Sequence, residues 1–265
     1  AVTPGDLPLD RGYEELVARG GTRVPRLGTQ AALQLVWETY LESLAAGDVE
    51  VQSADEEPEA YMYRVVSATK KYCDFWKADG LNGQLSNFHM EAISIEPLQR
   101  LEGVFTQDSP LMAFLKQHSD RPCGSAEHVF MLIKAAQFKD WAAAKWILNC
   151  HTPDEAKRAG RQVSNYDDKV WTTVRATAMR VALLLKFGYS LGLSRSLQET
   201  KPAQIREVSP YDHVWGTGAT AAQIEARGGQ FDGANLLGVE LMRVRRQLQG
   251  AAELCTKDAE RNAAD

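Results

Sequence analysis

The sequence predicts a predominantly helical α+β fold, and three observations carry that prediction. In Asp167–Phe187, apolar residues recur at steps of three and four, which is the period of one helix face. Thr152 and Glu155 form a capping box around a proline, the clearest helix start in the chain. Residues 71–76 and 205–208 are instead short, contain β-branched or aromatic side chains and suit short strands.

The N-terminal half is predicted to alternate between loose segments and short elements. Residues 1–28 are rich in glycine, proline and arginine, and Val49–Glu59 is an acidic segment that is expected to be a loop. Pro97–Gly124 is a long connection of the kind that is often functional or mobile. The predicted elements are helices over Tyr13–Ala18, Thr29–Ala46 and Leu111–Gln117, strands over 61–66, 71–76 and Met90–Ile95, and a turn over 80–84.

The C-terminal half is predicted to be mostly helical. Ser125 is a suitable N-cap for a helix that continues to Phe138. A mobile, glycine-rich segment is expected between Gly218 and Gly233. The other predicted elements are helices over Trp141–Asn149, Thr152–Gly160, Asp167–Phe187 and Gly233–Leu248 and a strand over Ile205–Val208. We therefore divide the chain into an N-terminal extension (1–69), one domain (70–250) and a frayed C-terminal tail (251–265).

Composition narrows the function classes. Of the 265 residues, 44% are hydrophobic and 25% charged, which is ordinary globular usage, and the net charge of −5 excludes a broad basic surface for nucleic acid. The four cysteines lack CxxC spacing, which favours reduced thiols. No apolar run approaches the roughly 18 residues that span a membrane, and the first residues are not a signal peptide. We expect a cytoplasmic or nuclear protein without membrane contact; no pattern predicts its oligomeric state.

The helix over Gly124–Phe138 carries the most suggestive pair of side chains. Residues seven apart differ by about 20° around a helix, so Glu127 and Lys134 share a face, about 10 Å apart along the axis. One interpretation is a reactive site with an acid and an amine aimed at the same space. The other is a solvated face whose charges are too far apart to pair. Spacing alone leaves both open.

Several familiar motifs are absent or incomplete, and none predicts a cofactor or a metal. The run from Gly216 to Ala221 resembles a dinucleotide fingerprint, but no clear strand precedes it. Glu127 and His128 do not begin an HExxH motif, because Leu132 stands where the second histidine would be. The histidines lack metal-ligand spacing, and no serine lies in a nucleophile elbow.

Three short segments place polar or aromatic side chains beside glycines. They are 83–88 (GQLSNF), 209–216 (SPYDHVWG) and 233–238 (GANLLG). Each is typical of turns, in which serine and asparagine cap the backbone and glycine allows positive φ. Together they also suit a pocket with an aromatic surface, amide donors and a second carboxylate.

The order and spacing of these segments resemble the NADAR family, also called YbiA-like. The motifs are FW (75–76), LSNF (85–88), SAEHVF with a lysine seven residues after the glutamate, AKRAGR (156–161), VW..VR...MR.AL..KF (170–187), YDHVWGTG (211–218) and NLLG..LM.VR (235–245). The resemblance covers roughly residues 70–248. Two connections, after LSNF and after WGTG, are longer here than in compact members.

The resemblance implies a compact, mainly helical α+β domain that acts as an N-glycosidase on ribosyl bonds. It assigns the nucleophile to Lys134, which would attack the anomeric carbon and form a Schiff base. Glu127 and Asp212 are the candidates for acid–base work, and the residues alone leave open which is acid and which is base. A nucleophilic lysine must be neutral, so burial would favour it, whereas a helix-start Glu127 is expected to remain ionised.

The resemblance also suggests which residues bind the substrate. Phe88 and Trp215 are expected to stack on the base or the sugar, and Asn87 and Asn235 to donate hydrogen bonds. Arg161 is expected to bind phosphate, although capping of its own helix end explains it nearly as well. Ser86 and Gly216 complete the candidate binding residues.

Two substrates fit this site. Some members cleave phosphoribosylamino-pyrimidinone intermediates of riboflavin synthesis, others remove ADP-ribose from guanine in nucleic acid, and the two bases share an aminopyrimidinone edge. The long segments Pro97–Gly124 and Thr220–Phe231 suit a roomier cleft, and nothing else in the chain resembles a flavin-pathway enzyme. We therefore favour ADP-ribosyl-guanine, as nucleoside or DNA. The alternative of another class is a non-catalytic ADP-ribose-binding module, which would need neither Glu127 nor Lys134.

Overall fold

The computed structural model describes residues 72–101, 109–118 and 120–262. The predicted helices over Tyr13–Ala18 and Thr29–Ala46, the loop over Val49–Glu59 and the strand over 61–66 lie outside the described residues. Within them the fold is a mainly helical α+β arrangement, which confirms the predicted fold class.

The described residues form four short strands and eight helices. The strands are β1 (Tyr72–Phe75), β2 (Met90–Ile93), β3 (Cys123–Ser125) and β4 (Gln204–Glu207). The helices are α1 (Ser109–His118), α2 (Ala126–Gln137), α3 (Trp141–Leu148), α4 (Pro153–Arg161), α5 (Asp168–Gly188), α6 (Leu191–Glu199), α7 (Ala221–Ala226) and α8 (Leu236–Asn262). Short 3₁₀ helices cover Gly83–Leu85 and Glu96–Leu101.

Helix α2 lies at the centre of the domain and is buried on nearly every side. It packs against α3, α4 and α5, and ten of its residues are buried. A helix that is apolar almost all round must be enclosed by other elements. Against α4 the approach is close, because a side chain on Gly160 would overlap the Met131 sulfur, which lies 2.1 Å from the position of a Cβ. The small residue is what lets α4 contact α2.

Helix α5 joins the centre to the C-terminal helix α8 through a buried ion pair. The Arg180 guanidinium donates to both carboxylate oxygens of Glu240, at 2.6 and 3.2 Å, and Arg243 donates to one of them at 2.8 Å. Both Arg180 and Glu240 are buried. Because a buried charge is costly unless it is paired, breaking this contact would destabilise the packing of α5 against α8.

Two small sheets attach the loops to the helices. Strands β1 and β4 are parallel, with Phe75 opposite Glu207, and β2 and β3 are antiparallel, with Met90 opposite Ser125. Asp74 and Arg206 are cross-strand partners and form two hydrogen bonds of 2.7 and 2.8 Å. The carboxyl ends of β1 and β4 therefore meet at the same edge.

Local patterns predicted most helix starts. Ser125 accepts from the His128 backbone N–H, Thr152 and Glu155 form both bonds of the capping box, and Asp167 accepts from two backbone N–H groups at the start of α5. Each of these caps depends on residues within one helical turn. Helix α4 ends one residue later than predicted, at Arg161.

Other predictions were wrong or incomplete. Strand β3 and helix α6 were not predicted, and the supposedly mobile segment after Gly218 contains α7, which begins at a capping box of Thr220 and Gln223. The final helix starts at Leu236 and extends beyond Leu248 to Asn262. It therefore includes most of the segment that was predicted to be a frayed tail. Glycines beside these segments weaken the helical pattern in the sequence. Ser190 and the pair Thr220 and Gln223 are nevertheless residue types that commonly cap helices.

Candidate active site

The candidate site begins where the 83–88 segment meets the first turn of α2. The backbone N–H of Glu127 donates to the carbonyl oxygen of Asn87 at 2.9 Å, and the Asn87 side-chain amide donates to Oε2 of Glu127. Asn87 thus satisfies one N–H at the helix start and orients the carboxyl that follows it. The structure brings these two predicted residues together.

Burial decides the electrostatics of Glu127. The side chain is 2% exposed, and burial raises its pKa to about 7, with a smaller contribution from Asp212. Lys157, the hydrogen bond from Asn87 and Arg161 act in the opposite direction. Burial thus opposes the ionised form that was expected of a helix-start Glu127, because the loss of water acts against the helix dipole. A carboxyl with a pKa near neutrality can both accept and return a proton.

Lys134 lies on the same face of α2, half-buried among aromatic rings. Its Nζ is 4.3 Å from the ring centroid of Tyr166 and 5.8 Å from that of Trp171. Burial lowers the pKa of Lys134, and the positive charge of Arg161 lowers it further, whereas Glu127 and Asp168 raise it. The net direction favours the neutral amine, which is the nucleophilic form.

An aromatic cluster connects Lys134 to the predicted stacking residue Trp215. Phe130, one turn before Lys134, contacts Trp171 with centroids 5.2 Å apart and meets Trp215 edge-on at 5.3 Å. Trp215 is half-buried, so part of its indole remains accessible. The cluster supplies an apolar wall beside the amine and a surface on which a base or a sugar can stack.

Helix α4 supplies positive charge to the site. Lys157 and Arg161 lie one turn apart on α4, and both lower the pKa of Glu127. The Nζ of Lys157 also lies 5.2 Å from the ring centroid of Phe88, which is half-buried. Arg161 is exposed at the end of the helix, where it can bind an anionic group.

Asp212 forms the turn that carries Trp215. Its Oδ1 accepts from the backbone N–H groups of Val214 and Trp215, at 2.9 and 2.7 Å. Gly216 is required behind this turn, because a Cβ would lie 2.9 Å from the Asp212 carbonyl oxygen and 3.0 Å from that of Glu207. Asp212 also raises the pKa values of Glu127 and Glu207, so it lies near both carboxyls. One of its own carboxylate oxygens, however, already holds the loop.

Two other predicted binding residues contact the protein backbone. Ser86 is buried, its hydroxyl accepts from the Phe88 N–H at 3.2 Å, and its carbonyl oxygen accepts from Lys186 Nζ at 2.7 Å. The Asn235 amide bridges β4, donating to the Ile205 carbonyl at 3.0 Å and accepting from the Glu207 N–H at 2.9 Å. These contacts position the loop and the strand that border the site.

Glu207 is a carboxyl of this site that the sequence analysis missed. It is the last residue of β4, burial raises its pKa to about 8, and Asp212 and Glu127 raise it further while Lys157 lowers it. The available signal was its position at the end of the predicted Ile205–Val208 strand, since ligand sites often lie at the carboxyl ends of parallel strands.

Metal-binding clusters and membrane-spanning helices are both absent from the described residues. Among the described residues, no group of three or more histidine, cysteine, aspartate or glutamate side chains could hold a metal ion. None of the described helices has the length and apolar character needed to cross a membrane.

The chain belongs to the NADAR domain family, whose model matches residues 74–249. The fold is similar to the NMR structure of the E. coli protein YbiA, with a TM-score of 0.50, 25% sequence identity and coverage of 68% of this chain and 86% of that chain. The family resemblance drawn from the motifs is thereby confirmed.

Several relatives carry names that state an activity. The chain is 35% identical to N-glycosidase R617 of Acanthamoeba polyphaga mimivirus over 47% of its own length and 74% of that protein, and 34% identical to N-glycosidase YbiA of Escherichia coli over 47% and 69%. It is 29% identical to the riboflavin biosynthesis protein VVA0006 of Vibrio vulnificus, of which the match covers 30%. These names support N-glycosidase activity, and hence a hydrolase, for the NADAR domain.

Proposed function

We propose that this protein is an N-glycosidase that hydrolyses ADP-ribose from guanine, in nucleoside or DNA form, through a Schiff base on Lys134. The observation that carries the proposal is the placement of Lys134 and Glu127 on the same helix α2 with their pKa values shifted in opposite directions. Burial lowers the pKa of the amine and raises the pKa of the carboxyl to about 7. A solvated face, the other interpretation of this spacing, would shift neither group in this way.

The reaction follows from those two groups. The neutral amine of Lys134 forms a bond to C1′ of the ribose, and the C1′–N bond to guanine breaks with its electron pair going to the base. Glu127 takes the proton that the attacking nitrogen loses. Opening of the ribose ring then gives the C=N bond of the Schiff base, and water adds to it to release ADP-ribose and the free amine.

Two features of the site suit the ADP-ribosyl group. Lys157 and Arg161 supply positive charge for its pyrophosphate. Trp76 and Tyr211 form a second aromatic pair, with centroids 6.1 Å apart, one residue after β1 and one residue before Asp212. Tyr211 is 85% exposed, so this pair offers a stacking surface to the adenosine that only the ADP-ribosyl substrate carries.

A second candidate is hydrolysis of a phosphoribosylamino-pyrimidinone, and it is favoured by the name of the Vibrio vulnificus relative. Its single 5′-phosphate also matches the basic residues of α4. The deciding experiment offers the purified protein each substrate at equal concentration and follows free ADP-ribose and ribose 5-phosphate. We expect release of ADP-ribose; release of ribose 5-phosphate alone would favour the second candidate.

A non-catalytic ADP-ribose reader is the remaining alternative, and the same experiment separates it because a reader binds without product. For a DNA substrate, the net charge of −5 supports a grip mainly on the modified base rather than on the phosphates. Added salt should then weaken binding only modestly. A steep loss of affinity with salt would instead indicate several phosphate contacts.

A further inference from the structure

The backbone of Glu207 is held on both sides by hydrogen bonds from distant segments. Its N–H donates to Asn235 Oδ1 at 2.9 Å. Its carbonyl oxygen accepts from the backbone N–H of Thr217 at 2.8 Å and from the Thr217 hydroxyl at 3.1 Å. A residue constrained in this way presents its side chain in a defined direction, as a catalytic group requires.

Glu207 is half-buried, and part of its carboxyl is shielded from water. Its Oε2 is buried without a hydrogen-bond partner. The charged groups that face it are Glu127 of α2, Asp212 of the loop and Lys157 of α4, so two acidic groups oppose one basic group. An unpaired carboxylate in this place is costly, whereas a neutral carboxylic acid is tolerated and carries a proton that it can donate.

The other two carboxyls are engaged differently. Asp212 uses Oδ1 to accept from the N–H groups of Val214 and Trp215, which commits it to the turn. Glu127 accepts from Asn87 and lies on the helix that carries Lys134. In each of these two residues one carboxyl oxygen already accepts a hydrogen bond from the protein, whereas Oε2 of Glu207 has no hydrogen-bond partner.

We propose that Glu207, rather than Asp212, is the general acid that protonates the departing base. This inference rests on the proposed glycosidase function. As the C1′–N bond breaks, its electron pair goes to the nitrogen of the base, which takes the proton from the Glu207 carboxyl. The base leaves neutral, and Glu207 becomes a carboxylate next to Lys157. The proton is recovered from the water that later hydrolyses the Schiff base.

The test varies the leaving group. With ADP-ribosyl-guanosine, Glu207→Gln should lower kcat by about 10²–10⁴, since glutamine cannot donate an acidic proton. With 4-nitrophenyl ADP-ribose, whose phenolate leaves without protonation, the same variant should lose less than about tenfold. Asp212→Asn, which keeps the turn acceptor, should lose less than about tenfold on both substrates. The matched control is Glu225→Gln, an exposed glutamate of α7.

The pH dependence provides a second readout. The wild-type rate should fall as pH rises through about 8, where Glu207 loses its proton, and Glu207→Gln should lack this limb. Glu207→Asp keeps an acid and should retain a limb at a reduced rate. Glutamine has nearly the shape of the protonated carboxyl, so the variant should fold, and thermal unfolding checks this.

Each outcome has one meaning. The inference would be overturned if Glu207→Gln lost equally on the two leaving groups. It would also be overturned if the alkaline limb disappeared in Asp212→Asn but not in Glu207→Gln. Either result would leave the glycosidase function standing. If the wild type releases only ribose 5-phosphate, the pH series is run on that substrate, because its leaving nitrogen also needs a proton. Absence of turnover of both natural substrates by the wild type would overturn the proposed function and the inference together.

Discussion

Asn87 and Glu127 are joined by two hydrogen bonds that run in opposite directions. The Glu127 N–H donates to the Asn87 carbonyl oxygen at 2.9 Å, and the Asn87 amide donates to the Glu127 carboxyl. The two residues are 40 positions apart in the chain. The contact connects the LSNF segment (85–88) to the start of α2 and partly offsets the cost of burying the carboxyl.

Loss of this contact should move the acid limb of the rate profile. The hydrogen bond from Asn87 lowers the pKa of Glu127, which burial raises to about 7. In Asn87→Ala the pKa should therefore rise further, and the limb on which Glu127 becomes a base should move upward by about one to two pH units. The measurement is log kcat against pH, with Asn149→Ala, at the exposed end of α3, as control. If the acid limb of the rate profile does not move, that limb does not report the ionisation of Glu127.

Lys134 should be indispensable for turnover. Lys134→Ala should abolish product release while leaving the fold intact, since the side chain is only half-buried and its amine contacts ring faces. Borohydride added during wild-type turnover should leave a sugar adduct on Lys134, found by peptide mass spectrometry. Lys145→Ala, an exposed lysine of α3, should react like the wild type. Substantial activity in Lys134→Ala without any trapped adduct would remove the Schiff-base route.

Trp215 should contribute mainly through its ring. Trp215→Ala removes the stacking surface and the edge contact to Phe130 at 5.3 Å, so KM should rise about ten- to a hundredfold. Trp215→Phe keeps an aromatic face and should recover most of that loss. Trp146→Ala, an exposed tryptophan of α3 that is 48% accessible, serves as the control. A phenylalanine variant as impaired as the alanine variant would argue against stacking.

Lys186 should stabilise the protein rather than take part in the reaction. It is 1% exposed and donates to the carbonyl oxygens of Gln84 and Ser86, at 2.6 and 2.7 Å. Lys186→Met keeps the length of the side chain but leaves both acceptors without their donor, which should lower the free energy of unfolding by about 2–4 kcal/mol. Urea unfolding measures the loss, with the exposed Lys169→Met as reference. A neutral result would mean that water replaces the amine.

Glu207 should make stability depend on pH. Its folded pKa, about 8, lies above the ordinary value of 4.5, so the folded state binds more protons between these values. The stability of the wild type relative to Glu207→Gln should therefore be greatest below pH 4.5 and decline as pH rises through about 8. Between pH 5 and pH 9, the Tm of Glu207→Gln should rise by a few degrees relative to that of the wild type. A pH-independent difference would mean that Glu207 is not buried as a neutral acid.

The sequence by itself determined the features that depend on neighbouring residues. The caps at Ser125, Thr152 and Asp167 involve contacts within one helical turn, and the shared face of Glu127 and Lys134 follows from a seven-residue spacing. Motif order was enough to indicate the family, because the blocks from LSNF to NLLG occur in sequence whatever their positions in space.

Only the tertiary structure decided what those residues experience. Asn87 reaches Glu127 across 40 positions, and Lys186 reaches Ser86 across 100. The backbone of Glu207 is held by Asn235 and Thr217, which lie 28 and 10 positions further along the chain. Periodicity reports which side of a helix a residue occupies, whereas a pKa depends on how much water and which charges surround the group once distant segments have packed.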